Sequence, residues 1–334
     1  MSTDTPDIVR PTRRTATGLA LALTSAVAFG LSGTLARGLM DAGWSAGAAV
    51  AMRVTMAALV LAVPGALAVR GRTRLLRTHA RTIVLYGLLA VAGAQLFYFM
   101  AVARLDVAVA LLIEYTAPVA VVCWMWWAGG QRPGRLTVVG AVVAAGGLVL
   151  LLDVGGAAID VVGVLLALGA MVGAAAYFVI SADDTSGLPP LTLAAAGLMV
   201  ASVVFWATAL VGWLPLTMTT APVTFTIGTV PWWVPVVLLG LVTAALAYVT
   251  GIAAARRLGS RLASFVALSE VAAALVFAWV LLDQQPGPGQ FVGALLVLGG
   301  VVVVKLGERR VGSVGPDENL LVEPLPMHQS PHGR

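Results

Sequence analysis

The sequence predicts an all-α integral membrane protein, with ten transmembrane helices arranged as two inverted five-helix repeats. Three observations predict it. Of 334 residues, 60% are hydrophobic and only 10% are charged, with a mean hydropathy of +0.97. A soluble domain carries about 25% charged residues, so composition excludes a soluble enzyme, a disordered protein and a nucleic-acid-binding domain. Ten apolar runs of roughly the 20 residues a span needs follow one another with short connections. The second half of the chain also repeats the first at a shift of 153 residues. In hydrocarbon every backbone N–H and C=O must be satisfied within the protein, which leaves helices for this pattern.

The runs fall at 16–37, 46–69, 82–102, 106–127 and 136–152, then at 161–181, 190–213, 232–254, 261–282 and 289–305. They divide the chain into an N-terminal segment (1–15), a first five-helix unit (16–152), a second (161–305) and a tail (306–334). The first run follows Arg13-Arg14, as a signal peptide would. Its small residues Gly18, Ala22, Ala26 and Gly30 recur every fourth position, however, as in a packed membrane helix, and it reads as a retained span. Arg70 to Arg81 form a basic loop, and Gln131-Arg132-Pro133-Gly134-Arg135 a tight turn. Leu188-Pro189-Pro190 places proline in the first turn of the seventh run, where its missing N–H costs little. Gly169-x-x-x-Gly173 reads as helix packing. Pro118 is expected to free a carbonyl and kink the fourth helix. The tail, rich in Gly, Pro and Glu, is expected to be disordered.

Positive charge sets the orientation. With ten helices and a cytoplasmic N-terminus, the inside receives Arg10, Arg13, Arg14, the 70–81 loop, Arg132, Arg135, Arg256, Arg257, Arg261, Lys305, Arg309, Arg310 and Arg334. The outside receives only Arg37 and Arg104. That asymmetry predicts cytoplasmic N- and C-termini in a multi-pass protein of the cell membrane. Trp44, Trp213, Trp232 and Trp233 fall at outer ends and Trp126-Trp127 at an inner one, as aromatic belts do.

In the repeat, Arg104-Leu105 meets Arg257-Leu258, Gln131-x-Pro133-Gly134 meets Gln284-x-Pro286-Gly287, and Gly146-Gly147 meets Gly299-Gly300. About 19 of 64 positions are identical from Gly87 onward. Five helices per half is odd, so the halves cross the membrane in opposite directions. The charges agree, because Arg132 and Arg135 are replaced in the copy by Gln285 and Pro288. Inverted repeats are a mark of alternating-access transporters, with substrate bound near mid-membrane at the repeat junction.

The ordered set of pieces resembles the EamA-type members of the drug/metabolite transporter superfamily. It comprises Met52-Arg53-Val54 with Ala57-Ala58-Leu59, Tyr86-Gly87-Leu88-Leu89 with Tyr98-Phe99-Met100-Ala101, Ala117-Pro118-Val119, and the helices of Gly140 and Gly293. The chain departs from the family at Gly130-Gln131 and Asp283-Gln284, where a glutamate often stands. The resemblance implies two EamA-like five-helix repeats and transport of small metabolites such as amino acids, often outward.

Three charges lie inside apolar runs: Arg53, Glu114 and Glu270. Burying one costs on the order of 3 kcal/mol or more, so each needs a partner or a wet cavity. Arg53 is a candidate binder of substrate anions, with Glu114 as counter-charge or proton site. Alternatively the two form a pair that only locks the second helix to the fourth. Glu270, halfway along the ninth run with no basic residue nearby in its half, is the better candidate for proton coupling, since holding a proton removes most of the burial cost. Gln95, Tyr98, Tyr115, Tyr177 and Tyr248 are candidate cavity-lining residues, and Gln95 aligns with Tyr248 in the repeat.

A single cysteine, Cys123, excludes a thiolate metal cluster, and His79, His328 and His332 all lie outside the runs. No metal, no cofactor and no ATP drive are expected. The reading is a secondary transporter of small polar or amphiphilic, amino-acid-like metabolites, exporting across the inner membrane by alternating access, and not an enzyme. The expected partners are a small-molecule substrate and membrane lipids, with no nucleic acid; a homodimer is left open. The alternatives are a membrane-embedded enzyme acting on lipid-linked substrates, or a non-transporting scaffold.

Overall fold

The computed structural model describes residues 13–116, 134–151, 160–182, 186–285 and 287–311. Pro118, Cys123, Trp126, Trp127 and Arg132 lie outside them, as does the tail beyond 311. The first repeat provides α1 (Arg13–Asp41), α2 (Ala46–Ala68), α3 (Ala80–Val102), α4 (Val107–Glu114) and α5 (Arg135–Leu151). The second provides α6 (Val161–Ala182), α7 (Pro190–Leu210), α8 (233–267), α9 (Ser269–Leu282) and α10 (Pro288–Val311). Among the described residues, six helices are long and apolar enough to cross a membrane: α1, α2, α3, α6, α7 and the first part of α8. Arg135–Gly147, Ser269–Leu282 and Phe291–Gly300 are shorter apolar helices.

The fold departs from the sequence reading in three places. It is mostly helical but not all-α. Between α7 and α8 stands a hairpin of β1 (Val223–Phe225) and β2 (Gly228–Val230), paired Val223 to Val230 and Phe225 to Gly228. The β-branched Val223, Thr224, Thr229 and Val230, with Gly228 at φ 142°, supply its strand and turn chemistry. The Arg256-Arg257 segment is not a loop. Ala-rich and free of proline, it continues α8 to Ala267; Arg257 reaches outward along its stem, while Arg256 donates to the Leu188 carbonyl. The helix breaks only at Leu268, so Glu270 lies in the first turn of α9 rather than halfway along a span. Pro190 does open α7 at its first position.

Small residues set the packing. A Cβ on Gly147 would stand 2.7 Å from the Gly293 carbonyl, and one on Gly300 would stand 2.6 Å from the Gly140 carbonyl. The contact between α5 and α10 is therefore reciprocal, and the two equivalent helices run antiparallel. Gly18 packs on Arg257-Leu258, as Gly163 packs on the equivalent Arg104-Leu105. Gly18 and Gly163 stand 145 residues apart, so the first helices of the two repeats match at a shorter shift than the rest. Gly169 and Gly173 face Phe97 and Ala94, as packing positions. Large apolar side chains such as Leu59, Val63, Val142, Val203 and Leu210 stay exposed on the outside of the bundle. Such a belt is tolerable against lipid and a liability in water.

Two stretches widen into π-helix, Tyr86–Gly93 within α3 and Leu241–Leu246 within α8. At the 153-residue shift they overlap. A π turn frees carbonyls from the i−4 ladder, and such turns recur at functional sites. Here the freed groups face the junction between the repeats.

Candidate functional site

A cavity holding about 860 Å³ of atom-free space, including the part open to solvent, lies between α1, α2, α3 and α4 on one side and α6, α8 and α9 on the other. Alanines on α1, α3 and α8 leave the room. Arg53, Gln95, Tyr98, Glu114, Tyr115, Tyr177, Tyr248 and Glu270 all line it. The structure therefore gathers every candidate residue into one space.

Arg53 sits on α2 and is 1% exposed. Its Nη1 donates to Gln95 Oε1 and its Nη2 to the Thr243 carbonyl, within the π stretch of α8. The guanidinium also lies 5.3 Å from the Phe99 ring centroid and 5.9 Å from that of Phe29. Desolvated cation–π contacts of this kind contribute about 2 kcal/mol. Its Nε is buried with no hydrogen-bond partner. The alternative, an Arg53–Glu114 lock, does not form: the two ion pairs among the described residues are Arg37–Asp41 and Arg104–Asp160. A neutral amide, a carbonyl and two rings hold the arginine, and no carboxylate pairs with it directly.

Gln95 relays this hold across the repeats. Its Nε2 donates to Tyr248 Oη at 2.6 Å, and Tyr248 is its own counterpart in the repeat. Contact between equivalent positions is what a pseudo-two-fold axis produces. Tyr248 Oη in turn lies 3.5 Å from the Ala90 carbonyl, and Ala90 is the counterpart of Thr243. Both π stretches thus offer the same carbonyl to the site.

The acids lie across the cavity from this network. Tyr115 Oη donates to Glu270 Oε2 at 2.6 Å, joining the end of α4 to the start of α9. Tyr115, which caps the end of α4, and Leu268, which stands between α8 and α9, are equivalent positions. Tyr177 packs edge-on to Tyr248, with ring centroids 5.8 Å apart. Tyr98 directs its hydroxyl at Gly33.

Sequence reasoning missed the contribution of α1. Phe29 lies edge-on to Tyr248 at 5.1 Å as well as beside Arg53. Ser25 donates to the Ala247 carbonyl at 2.8 Å. Ala22, Ser25, Ala26, Phe29 and Ser32 all line the cavity. Their spacing of three and four is one helix face. The same small residues, Ala22 and Ala26, both pack and line the cavity, and spacing alone signals only the packing.

At one end the cavity lining reaches Ala22, Ala255 and Ala263. At the other end the repeats close. Arg37 Nη1 donates to the Val102 carbonyl at 2.9 Å, and Val107 N–H donates to Gln284 Oε1 at 3.3 Å. Phe225 of the hairpin covers Gly38, and Thr226 N–H bonds the Leu281 carbonyl at 2.9 Å.

Comparison with known proteins agrees with this architecture. A solved crystal structure shares the fold at a TM-score of 0.58 and 22% identity, covering 89% of this chain and 99% of the other. No match is found among curated proteins. The sequence model of the EamA-like transporter family matches residues 16–153 and again 161–306. Two matched units, built on reciprocal glycine contacts and enclosing a cavity where a few charged and polar side chains stand among alanines, agree with that match: this multi-pass membrane chain belongs to the EamA-like transporter family.

Proposed function

We propose that the chain is a secondary transporter that moves small polar or amphiphilic, amino-acid-like metabolites outward across the cell membrane by alternating access. In this reading ten spans form two inverted repeats, and both termini are cytoplasmic. The observation that carries it is the cavity at the repeat junction, with one arginine and two carboxylates facing the same space. Arg53 receives an anionic substrate group through its unpartnered Nε, and Glu114 faces the substrate from the far wall. Glu270 takes up or releases a proton when the site opens to water. Under the orientation set by the arginines, the closed end is the outer one, so the cavity faces inward. In the opposite state the repeats exchange conformations. A contact between equivalent residues survives that exchange, which makes Gln95–Tyr248 the natural pivot.

An enzyme acting on lipid-linked substrates needs reacting groups at a lipid-facing surface, whereas Glu114 and Glu270 face an internal cavity. Reconstitution in liposomes with a panel of metabolites tests the reading. Saturable flux of a subset supports it; turnover of a lipid-linked substrate without flux overturns it.

A further inference from the structure

The connector between α2 and α3 places five arginines in twelve residues: Arg70, Arg72, Arg74, Arg77 and Arg81. All five are exposed. Among the described residues, neither ion pair includes any of them, and no hydrogen bond engages their guanidinium groups. Nothing acidic lies between residues 42 and 105 to neutralise them. The local fold accounts for their exposure. Gly71, at φ 79°, turns the chain out of α2. A short helix, Arg74–Thr78, then packs Leu75 and Leu76 against the core and leaves Arg74 and Arg77 outside.

Two further observations fix the setting. The exposed apolar faces of α2 (Leu59, Val63, Leu67) and α3 (Leu88, Leu85, Val84) run up to this connector from both sides. The arginines therefore stand where hydrocarbon gives way to headgroups. The corresponding connector of the second repeat, residues 211–232, has no charged residue. It is tied down instead by bonds such as Trp44 Nε1 to the Thr219 carbonyl at 3.0 Å. The shared scaffold does not require arginines at this place; one repeat carries them.

We propose that the 70–81 connector is a docking surface for anionic phospholipids. The planar guanidinium fork matches two phosphate oxygens, and charge-assisted bonds to phosphate are stronger than neutral ones. Five forks at the edge of the hydrocarbon hold several headgroups at once. Arg74 and Arg77, three apart in the short helix, present one row to the leaflet, and Arg81 follows in the first turn of α3. Leu75 and Leu76 anchor that row to the bundle. The inference is independent of what the cavity carries.

The test uses the full chain in nanodiscs of phosphatidylcholine with increasing phosphatidylglycerol, reading thermal stability and headgroup binding. Wild type is expected to gain stability with the anionic fraction and to lose that gain in high salt. Each basic residue near an anionic surface contributes about a fivefold change in affinity. R77Q/R81Q is therefore expected to need about 25-fold more anionic lipid for the same response. R77K/R81K, which keeps the charge but not the fork, is expected to recover only part of it. An identical response of wild type to both lipids overturns the proposal, and so does an unchanged response in R77Q/R81Q. Should R77Q/R81Q insert poorly, the wild-type lipid and salt titrations still decide. Soluble glycerol phosphate that reproduces the full effect without anionic lipid also overturns it, by making the surface a free-phosphate site.

Discussion

The π stretch of the first repeat, Tyr86–Gly93, and that of the second, Leu241–Leu246, occupy equivalent positions and turn equivalent carbonyls, Ala90 and Thr243, toward one cavity. Their partners differ. Thr243 holds Arg53, which comes from the first repeat, while Ala90 lies near the hydroxyl of Tyr248. The same contrast recurs through the site. Gln95 faces Tyr248; Glu114 corresponds to Ala267; Glu270 corresponds to Ala117. At the α1/α6 shift, Arg53 corresponds to Leu198. The backbone devices are common to both repeats, and the polar chemistry is distributed between them. In the proposed transport cycle, the shared parts would serve the movement of one repeat against the other, and the unshared parts what is bound.

That comparison can be broken first at its largest asymmetry. Arg53→Gln removes the one cation that lines the cavity among the described residues, together with two charge-assisted bonds of about 1.5–3 kcal/mol each. Flux in liposomes is expected to fall at least 100-fold. Arg53→Lys keeps the charge but not the fork and is expected to recover only part of it. If Arg53→Gln transports normally at normal expression, the arginine only packs.

Next come the shared crossings. Gly147→Val and Gly300→Val each push a side chain into the opposing backbone, an overpacking that costs about 1–3 kcal/mol. Because the contact is reciprocal, the two losses in melting temperature are expected to match. A large loss in one and none in the other breaks the pseudo-symmetry of α5 and α10.

Tyr248→Phe removes one hydroxyl from the proposed pivot and leaves the ring packing intact. A net loss of about 1 kcal/mol is expected, read as a severalfold slower turnover with little change in KM. A change confined to KM would make Tyr248 a substrate contact instead.

The smallest effect lies outside the membrane. Asp160 accepts from the Gly163 N–H at 2.8 Å and from Arg104 at 3.2 Å, and these bonds hold its carboxyl below the usual carboxylate range. A depressed native value stabilises the fold above the ordinary range and is lost as pH falls through it. Asp160→Asn is expected to lower the melting temperature slightly at neutral pH and not at all in strong acid.

Much of this could be read from the sequence. Hydropathy pointed to the six described helices that are long and apolar enough to span, because a span must be continuous and apolar. The repeat placed Gly140 with Gly293 and Gly147 with Gly300 at equivalent positions; that they meet across α5 and α10 is seen only in three dimensions. Ionisable residues in apolar runs pointed to the cavity, because nothing else repays their burial. The rest depended on tertiary context. No periodicity distinguishes a small residue that packs from one that also leaves space, so the ladder of Gly18, Ala22, Ala26 and Gly30 showed packing but not the cavity beside Ala22 and Ala26. Arg256 and Arg257 look like a loop in hydropathy, although their helix propensity is good. A π turn has no composition of its own, so the carbonyl of Thr243 could not be anticipated as the partner of Arg53.

The central claim is that one cavity opens alternately to the two sides of the membrane. Ser25→Cys tests it most directly, in a chain whose own Cys123 is replaced, because Ser25 lines the cavity and the new side chain is nearly the same size. A membrane-impermeant thiol reagent is applied from either side of oriented vesicles, with and without a transported substrate. The account predicts labelling from both sides, with substrate shifting the balance between them. Labelling from one side only, under every condition, would contradict it.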